Sequence, residues 1–92
     1  MASLIFKKLL DNVPESTKVE VRLSMDIAKR IHNLMRERNI TQAELARMMG
    51  KDPAEVNRWL SGMHTFTTKT LAKLQDVFGY PIVAVPTEID MV

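Results

Sequence analysis

The sequence contains no cysteine, which excludes a disulfide framework and every thiolate metal site, and fits a reducing compartment. Its two histidines, His32 and His64, stand 32 positions apart with no acidic cluster at ligand spacing, so no metal site is expected. No apolar run approaches a membrane span, and the stretch at residues 4–6 is far too short for the core of a signal peptide. A cytoplasmic protein away from membranes is expected. Also missing are a phosphate-cradling glycine loop, a His-Glu-x-x-His pair and any nucleophile with a base beside it, so neither a catalytic residue nor a cofactor is expected. There is no internal repeat and no low-complexity tract. A strong excess of one charge is absent too: the formal net charge is +2, too small by itself to argue for a nucleic-acid partner.

What is present suits one small soluble domain. With 46% hydrophobic and 26% charged residues in 92 positions, the composition is close to the globular average, and a chain of this size buries only about 60% of its unfolded surface. The charge is unevenly spread. Residues 24–80 hold nine lysines and arginines against six carboxylates, whereas residues 81–92 hold two carboxylates and no base. The basic part is the middle, and three regions follow: an N-terminal arm over 1–23 with a short helix and a strand, a central unit over 24–80, and a C-terminal strand and tail over 81–92.

Helical spacing is clearest in the centre. Ile27, Ala28, Ile31, Leu34 and Met35 share one helical face, with Ser24 as a cap and Arg36 and Arg38 near the negative end, which predicts a helix over 24–38. His32 is expected to be partly buried on it. Thr41-Gln-Ala-Glu44 reads as a capping box opening a short helix that buries Leu45, Ala46 and Met49 and stops at Gly50. Asp52-Pro53-Ala54-Glu55 supplies a cap, a proline at the first helical position and an acidic third residue, so another helix follows with Val56, Trp59 and Leu60 inward and Ser61-Gly62 at its end. Beyond a loop, a threonine cap at 67 or 68 opens a fourth helix with Leu71, Leu74, Val77 and Phe78 on one face. Residues 18–23, where Val19, Val21 and Leu23 alternate with Glu20 and Arg22, and residues 82–85 read as strands. One more helix is possible over 3–11.

Two short helices joined around a glycine are what reading duplex DNA requires: one braces across the backbone while the other lies in the major groove. Here Ala46 is small where the helices meet, Gly50 makes the turn, and Val56 and Trp59 pin the second helix. The run Ile40-Thr-Gln-Ala-Glu-Leu-Ala-Arg-Met-Met-Gly50, followed by Val56-Asn-Arg-Trp-Leu-Ser-Gly62, resembles the XRE family of lambda-repressor-like regulators over about residues 24–80. The resemblance implies an all-α, lambda-repressor-like helix-turn-helix bundle of four to five helices, here with short flanking strands. It also implies a DNA-contact set of Thr41, Gln42, Lys51, Ala54, Asn57, Arg58, Ser61 and His64. In that set Gln42 and Ser61 approach phosphates, Ala54, Asn57 and Arg58 face base edges, and His64 lies near the backbone. Departures from the family pattern are Pro53, which can neither donate an N–H nor read a base, Lys51 in place of an apolar turn residue, and the negative charges of Asp52 and Glu55.

The expected function is that of a transcriptional regulator and repressor bound as a homodimer to double-stranded DNA. Alternatives are the HigA-type antitoxin of a toxin–antitoxin pair, which would regulate its own operon and hold a cognate toxin with residues 1–23, and an adaptor that binds only protein. Trp59 is expected in the core and not as a stacking platform. The strands at 18–23 and 82–85 are expected to pair with each other or across a twofold axis.

Overall fold

The computed structural model describes residues 7–9 and 11–86. Four helices carry the fold: α1 (Glu15–Arg38), α2 (Gln42–Met49), α3 (Pro53–Leu60) and α4 (Thr68–Phe78). Residues 7–9 and 11 are helical as well, and the rest of the helix considered over 3–11 lies outside the described residues. The all-α expectation holds, but no flanking strand is present among the described residues. No described helix is long and apolar enough to cross a membrane.

The largest correction concerns α1. Residues 18–23 are not a strand but the first half of a 24-residue helix that starts after Pro14, and Ser24 is an interior residue and not a cap. The alternation of Val19, Val21 and Leu23 coexists with a second period, since Val19, Leu23 and Ile27 are spaced by four. No glycine or proline interrupts the chain from Glu15 to Arg38, and extending a helix adds one hydrogen bond per residue, whereas a strand needs a partner to pair with. The helix therefore runs unbroken across positions 23 and 24, and the arm expected over 1–23 shares it with the central unit. At the other end Asn39 adopts a left-handed conformation (φ 59°), and the Ile40 N–H donates to the Met35 carbonyl at 2.9 Å, closing the last turn.

The next elements begin and end where local chemistry dictates. Thr41 Oγ1 accepts from the Glu44 N–H and Glu44 Oε1 accepts from the Thr41 N–H, both at 3.1 Å. Gly50 ends α2 in the left-handed region at φ 68°. Asp52 Oδ1 accepts from the Ala54 N–H at 2.8 Å to open α3, and Thr67 Oγ1 accepts from the Thr70 N–H at 3.1 Å to open α4.

The core forms where α3 packs on α2 and α1, with α4 closing over α2. Ile31, Leu45, Val56, Trp59 and Leu74 are fully buried, joined by Leu34, Ala46 and Met49. Leu71 and Val77 of α4 are only half-buried, and His32 is exposed, against the expectation that α1 would partly cover it. Complete burial of Trp59 excludes it from stacking on a base. Its indole N–H has no acceptor among the described residues, a cost borne for filling the centre. Gly62 is a second position where only glycine serves: φ is 83°, and a Cβ there would stand 3.3 Å from Met25 Cγ of α1.

After α4 the chain turns at Gly79 and Ile82 re-enters the core. Residues 82–85, the second expected strand, join no ladder among the described residues. Their expected partner, residues 18–23, is helical.

Candidate nucleic-acid interface

Along α3 the residues divide by face. Val56 and Trp59 are wholly inside, while Ala54, Asn57, Arg58 and Ser61 are exposed at spacings of three and four, a single outward stripe. Of the sequence-predicted set, Thr41, Gln42 and Lys51 are exposed too, and His64 is half-buried. His64 sits edge-on to Phe66, ring centroids 4.8 Å apart, and tilted against Trp59 at 6.3 Å. Packing against these two rings holds the imidazole in place.

Hydrogen bonding already spends part of this set. The Ser61 hydroxyl donates to the Arg58 carbonyl at 2.6 Å and accepts from the Met63 N–H at 3.2 Å, so its proton ends α3 and is not available to a phosphate. Thr41 has both its N–H and a hydroxyl lone pair committed to the capping box, leaving its O–H. The two helix starts differ in the same way. Pro53 has no N–H and the Ala54 N–H is held by Asp52, whereas the first-turn amides of Gln42 and Ala43 lie outside the helical ladder, as such amides always do. An anion finds more free donors at α2 than at α3.

Electrostatically the face is mixed. Asp52 and Glu55 stand at the start of α3, and Arg58 at its end. The Glu44 carboxyl is held below its ordinary value of 4.5, chiefly by the hydrogen bond from the Thr41 backbone and then by the Thr41 hydroxyl, with Arg47 adding a smaller attraction.

Two cations that sequence reasoning did not single out complete the surface. A groove of about 560 Å³ runs between the turn and the start of α4, lined by Lys51, Glu55, His64, Thr67, Lys69 and Lys73 among others. Lys73 Nζ donates to the Met49 carbonyl at 3.0 Å, capping α2 from 24 residues away. The signal in the sequence was a lysine pair spaced by four just after the threonine cap, but which groove it faced depended on the tertiary fold.

A family model described as helix-turn-helix matches residues 31–85. That span covers most of α1's second half, all of α2, α3 and α4, and the segment after them. No curated protein and no solved structure matches the chain.

Proposed function

Because the chain belongs to the XRE family of helix-turn-helix DNA-binding regulators, we propose that it is a sequence-specific repressor that reads the major groove with α3 and binds as a homodimer. The observation that carries this reading is the two-faced α3, sealed inside by Val56 and Trp59 and open outside at Ala54, Asn57 and Arg58. The major groove admits one helix. Arg58 supplies a planar fork suited to the O6 and N7 acceptors of guanine, Asn57 an amide suited to adenine, and Ala54 a small contact for a thymine methyl. Gln42, with its side chain and free amide, holds a phosphate and sets register without choosing sequence. Lys51 and Lys69 add sequence-independent attraction. Two copies are needed because one short helix reads too few base pairs, whereas a twofold pair reads half-sites about one helical turn apart. Occupying a promoter in this way excludes polymerase, which gives repression.

The test is selection of bound sites from a random duplex library, followed by affinity at several salt concentrations. An enriched palindromic site and an affinity that falls steeply with salt through counterion release are the expected results. No enrichment, or binding indifferent to salt, would sink this reading in favour of the protein-only adaptor.

A second reading, as an antitoxin, draws on an apolar groove of about 380 Å³ beside the first half of α1, lined by Val19, Leu23, Ile27, Phe66, Leu71 and Val83 among others. Leu9, in the segment before α1, is exposed, while Leu4, Ile5, Phe6 and Leu10 lie outside the described residues. Co-expression with the product of the adjacent gene decides it. A folded protein lacking residues 1–12 that still neutralises a toxin removes that segment from the toxin site, and an adjacent gene whose product is harmless removes the reading.

A further inference from the structure

Past α4 the chain is anchored and then left unpaired. Arg30 of α1 donates to the Pro81 carbonyl from Nε at 3.1 Å and from Nη2 at 3.0 Å. The Arg38 guanidinium lies 4.7 Å from the centre of the Tyr80 ring, and Ile82 is buried in the core. The next residues are thus presented from a fixed place. Val83 is 41% exposed and Val85 78%, Ala84 is exposed between them, and no backbone hydrogen bond joins residues 82–85 to another described residue. An apolar, β-branched run with free backbone groups is what edge-to-edge pairing captures.

We propose that residues 82–86 pair with the same residues of a second copy, as a two-stranded antiparallel ribbon about a twofold axis at Ala84. The inference rests on the dimeric DNA-binding reading above and supplies the contact that makes the dimer. Symmetry restricts the register. Hydrogen-bonded and non-hydrogen-bonded residue pairs alternate along an antiparallel ladder, so a twofold axis must fall where one residue faces its own copy. With Ala84 facing Ala84 in a non-hydrogen-bonded pair, Val83 of each copy faces Val85 of the other, and each such pair exchanges both of its hydrogen bonds. Pro81 and Pro86, which have no N–H to give, fall outside those pairs. The Cα atoms approach to about 4.5 Å at a non-hydrogen-bonded pair, and alanine is small enough for that approach.

Two further features favour a second copy as the occupant. The valines share one side of the ribbon by strand alternation, and they border a groove along α4 that also includes Leu71 and Ala72, so the paired valines of both copies cover apolar surface. Charge agrees as well. The sequence after Pro86 carries Glu88 and Asp90, whereas Arg30 and Arg38 lie against Pro81 and Tyr80 at the start of the segment. Antiparallel self-pairing is the arrangement that brings the arginine end of one segment to the acidic end of its twin.

Since the chain has no cysteine, Ala84→Cys gives it a single thiol at the twofold, within the Cα separation a disulfide spans. On a non-reducing denaturing gel after mild oxidation, most of the Ala84→Cys protein is expected to run as a disulfide-linked dimer, while Asn33→Cys, exposed on α1, runs as an uncross-linked chain. The double variant Val83→Asp/Val85→Asp changes two exposed side chains and keeps its helical signal, but its light-scattering mass is expected to drop from dimer to monomer. The proposal is overturned if Ala84→Cys cross-links no faster than Asn33→Cys, if the double variant stays dimeric, or if cross-linking appears only after residues 1–6 are removed, which would assign the site to that segment. Binding to a pool of random duplex oligonucleotides at low salt is measured alongside. A protein that binds duplex but does not cross-link loses the ribbon alone, and a cross-linked dimer without affinity for duplex supports the ribbon and loses the DNA reading alone.

Discussion

Between Thr41 and Met63 the side chains that shape the backbone bond to partners two or three residues away, whereas the chain after α4 is held by Arg30 from 51 residues away and α2 is closed by Lys73 from 24. The central pair α2–α3 is specified mostly by local bonds, Lys73 at the end of α2 being its long-range exception, whereas the chain after α4 is specified by the tertiary fold. Local specification suits the proposed reading surface, which would present Arg58 and Gln42 in fixed relation. Long-range specification suits segments whose position matters only once the body exists. The difference predicts that substitutions in the central pair fall into two separate groups, those that cost stability and those that cost binding, while substitutions at the ends change order and association.

The sharpest way to break this picture is at Trp59. Replacing it by alanine removes the largest fully buried side chain and should cost about 3–5 kcal/mol, a large part of the roughly 5–14 kcal/mol that a domain of this size holds. Thermal unfolding followed by circular dichroism reads it. A small loss would mean that the core does not depend on the α2–α3 contact. Arg58→Ala, one residue away and exposed, should leave the melting temperature unchanged but cost about 1–3 kcal/mol of binding per half-site and relax preference at one base pair. Gln42→Ala should instead weaken all duplexes about equally. If Arg58→Ala binds with unchanged affinity and base preference, the recognition face lies elsewhere even though the fold stands.

The same contrast explains what was legible in the sequence. The limits of α2, α3 and α4 could be read because each carries its own start and stop: the Thr41–Glu44 box and Gly50, Asp52 and Pro53, Thr67 and Gly79. The start of α1 could not, because Val19, Val21 and Leu23 satisfy a strand period and a helix period at once, and only the continuation into Ile27 and Ile31 decides between them. The outward stripe of α3 was legible from the core positions opposite it. The commitment of the Ser61 hydroxyl was not, since it depends on which way the chain leaves the helix. Lys69 and Lys73 were missed for a different reason, as the groove they border exists only once α4 has closed against the turn. Gly62 was legible as a helix stop, but its close approach to Met25 was not.

That close approach supplies a smaller test. Gly62→Ala forces a side chain into the left-handed region and should cost about 1–2 kcal/mol, measured by denaturant unfolding. Combining it with Met25→Ala separates the two causes: recovery of most of the loss would assign it to the contact with Met25 Cγ, and no recovery would assign it to backbone strain. At the other end, Arg30→Ala removes both hydrogen bonds to the Pro81 carbonyl. It should lower global stability by only about 0.5–1.5 kcal/mol, while the amides of Val83 and Val85, which the proposed ribbon pairs, exchange faster without a matching change in α2. Equal changes in both regions would erase the distinction between them.

The smallest effect tests the local logic at a single cap. The Glu44 carboxylate accepts the Thr41 N–H more strongly than the neutral acid would, so folding lowers its pKa below the ordinary 4.5. A carboxyl whose pKa is depressed by folding contributes stability that is present above its unfolded value and is lost as pH falls through the folded one. Glu44→Gln keeps a side chain that can complete the capping box but cannot titrate. Every other carboxylate titrates in both proteins and cancels in their difference. The stability of the native chain minus that of Glu44→Gln should therefore be flat from neutral pH down to about 4.5 and shrink below it, as denaturant unfolding at a series of pH values would show. Parallel curves down to the acid limit would mean that the charge adds nothing to the start of α2, and that its hydrogen-bond geometry alone sets the helix in place.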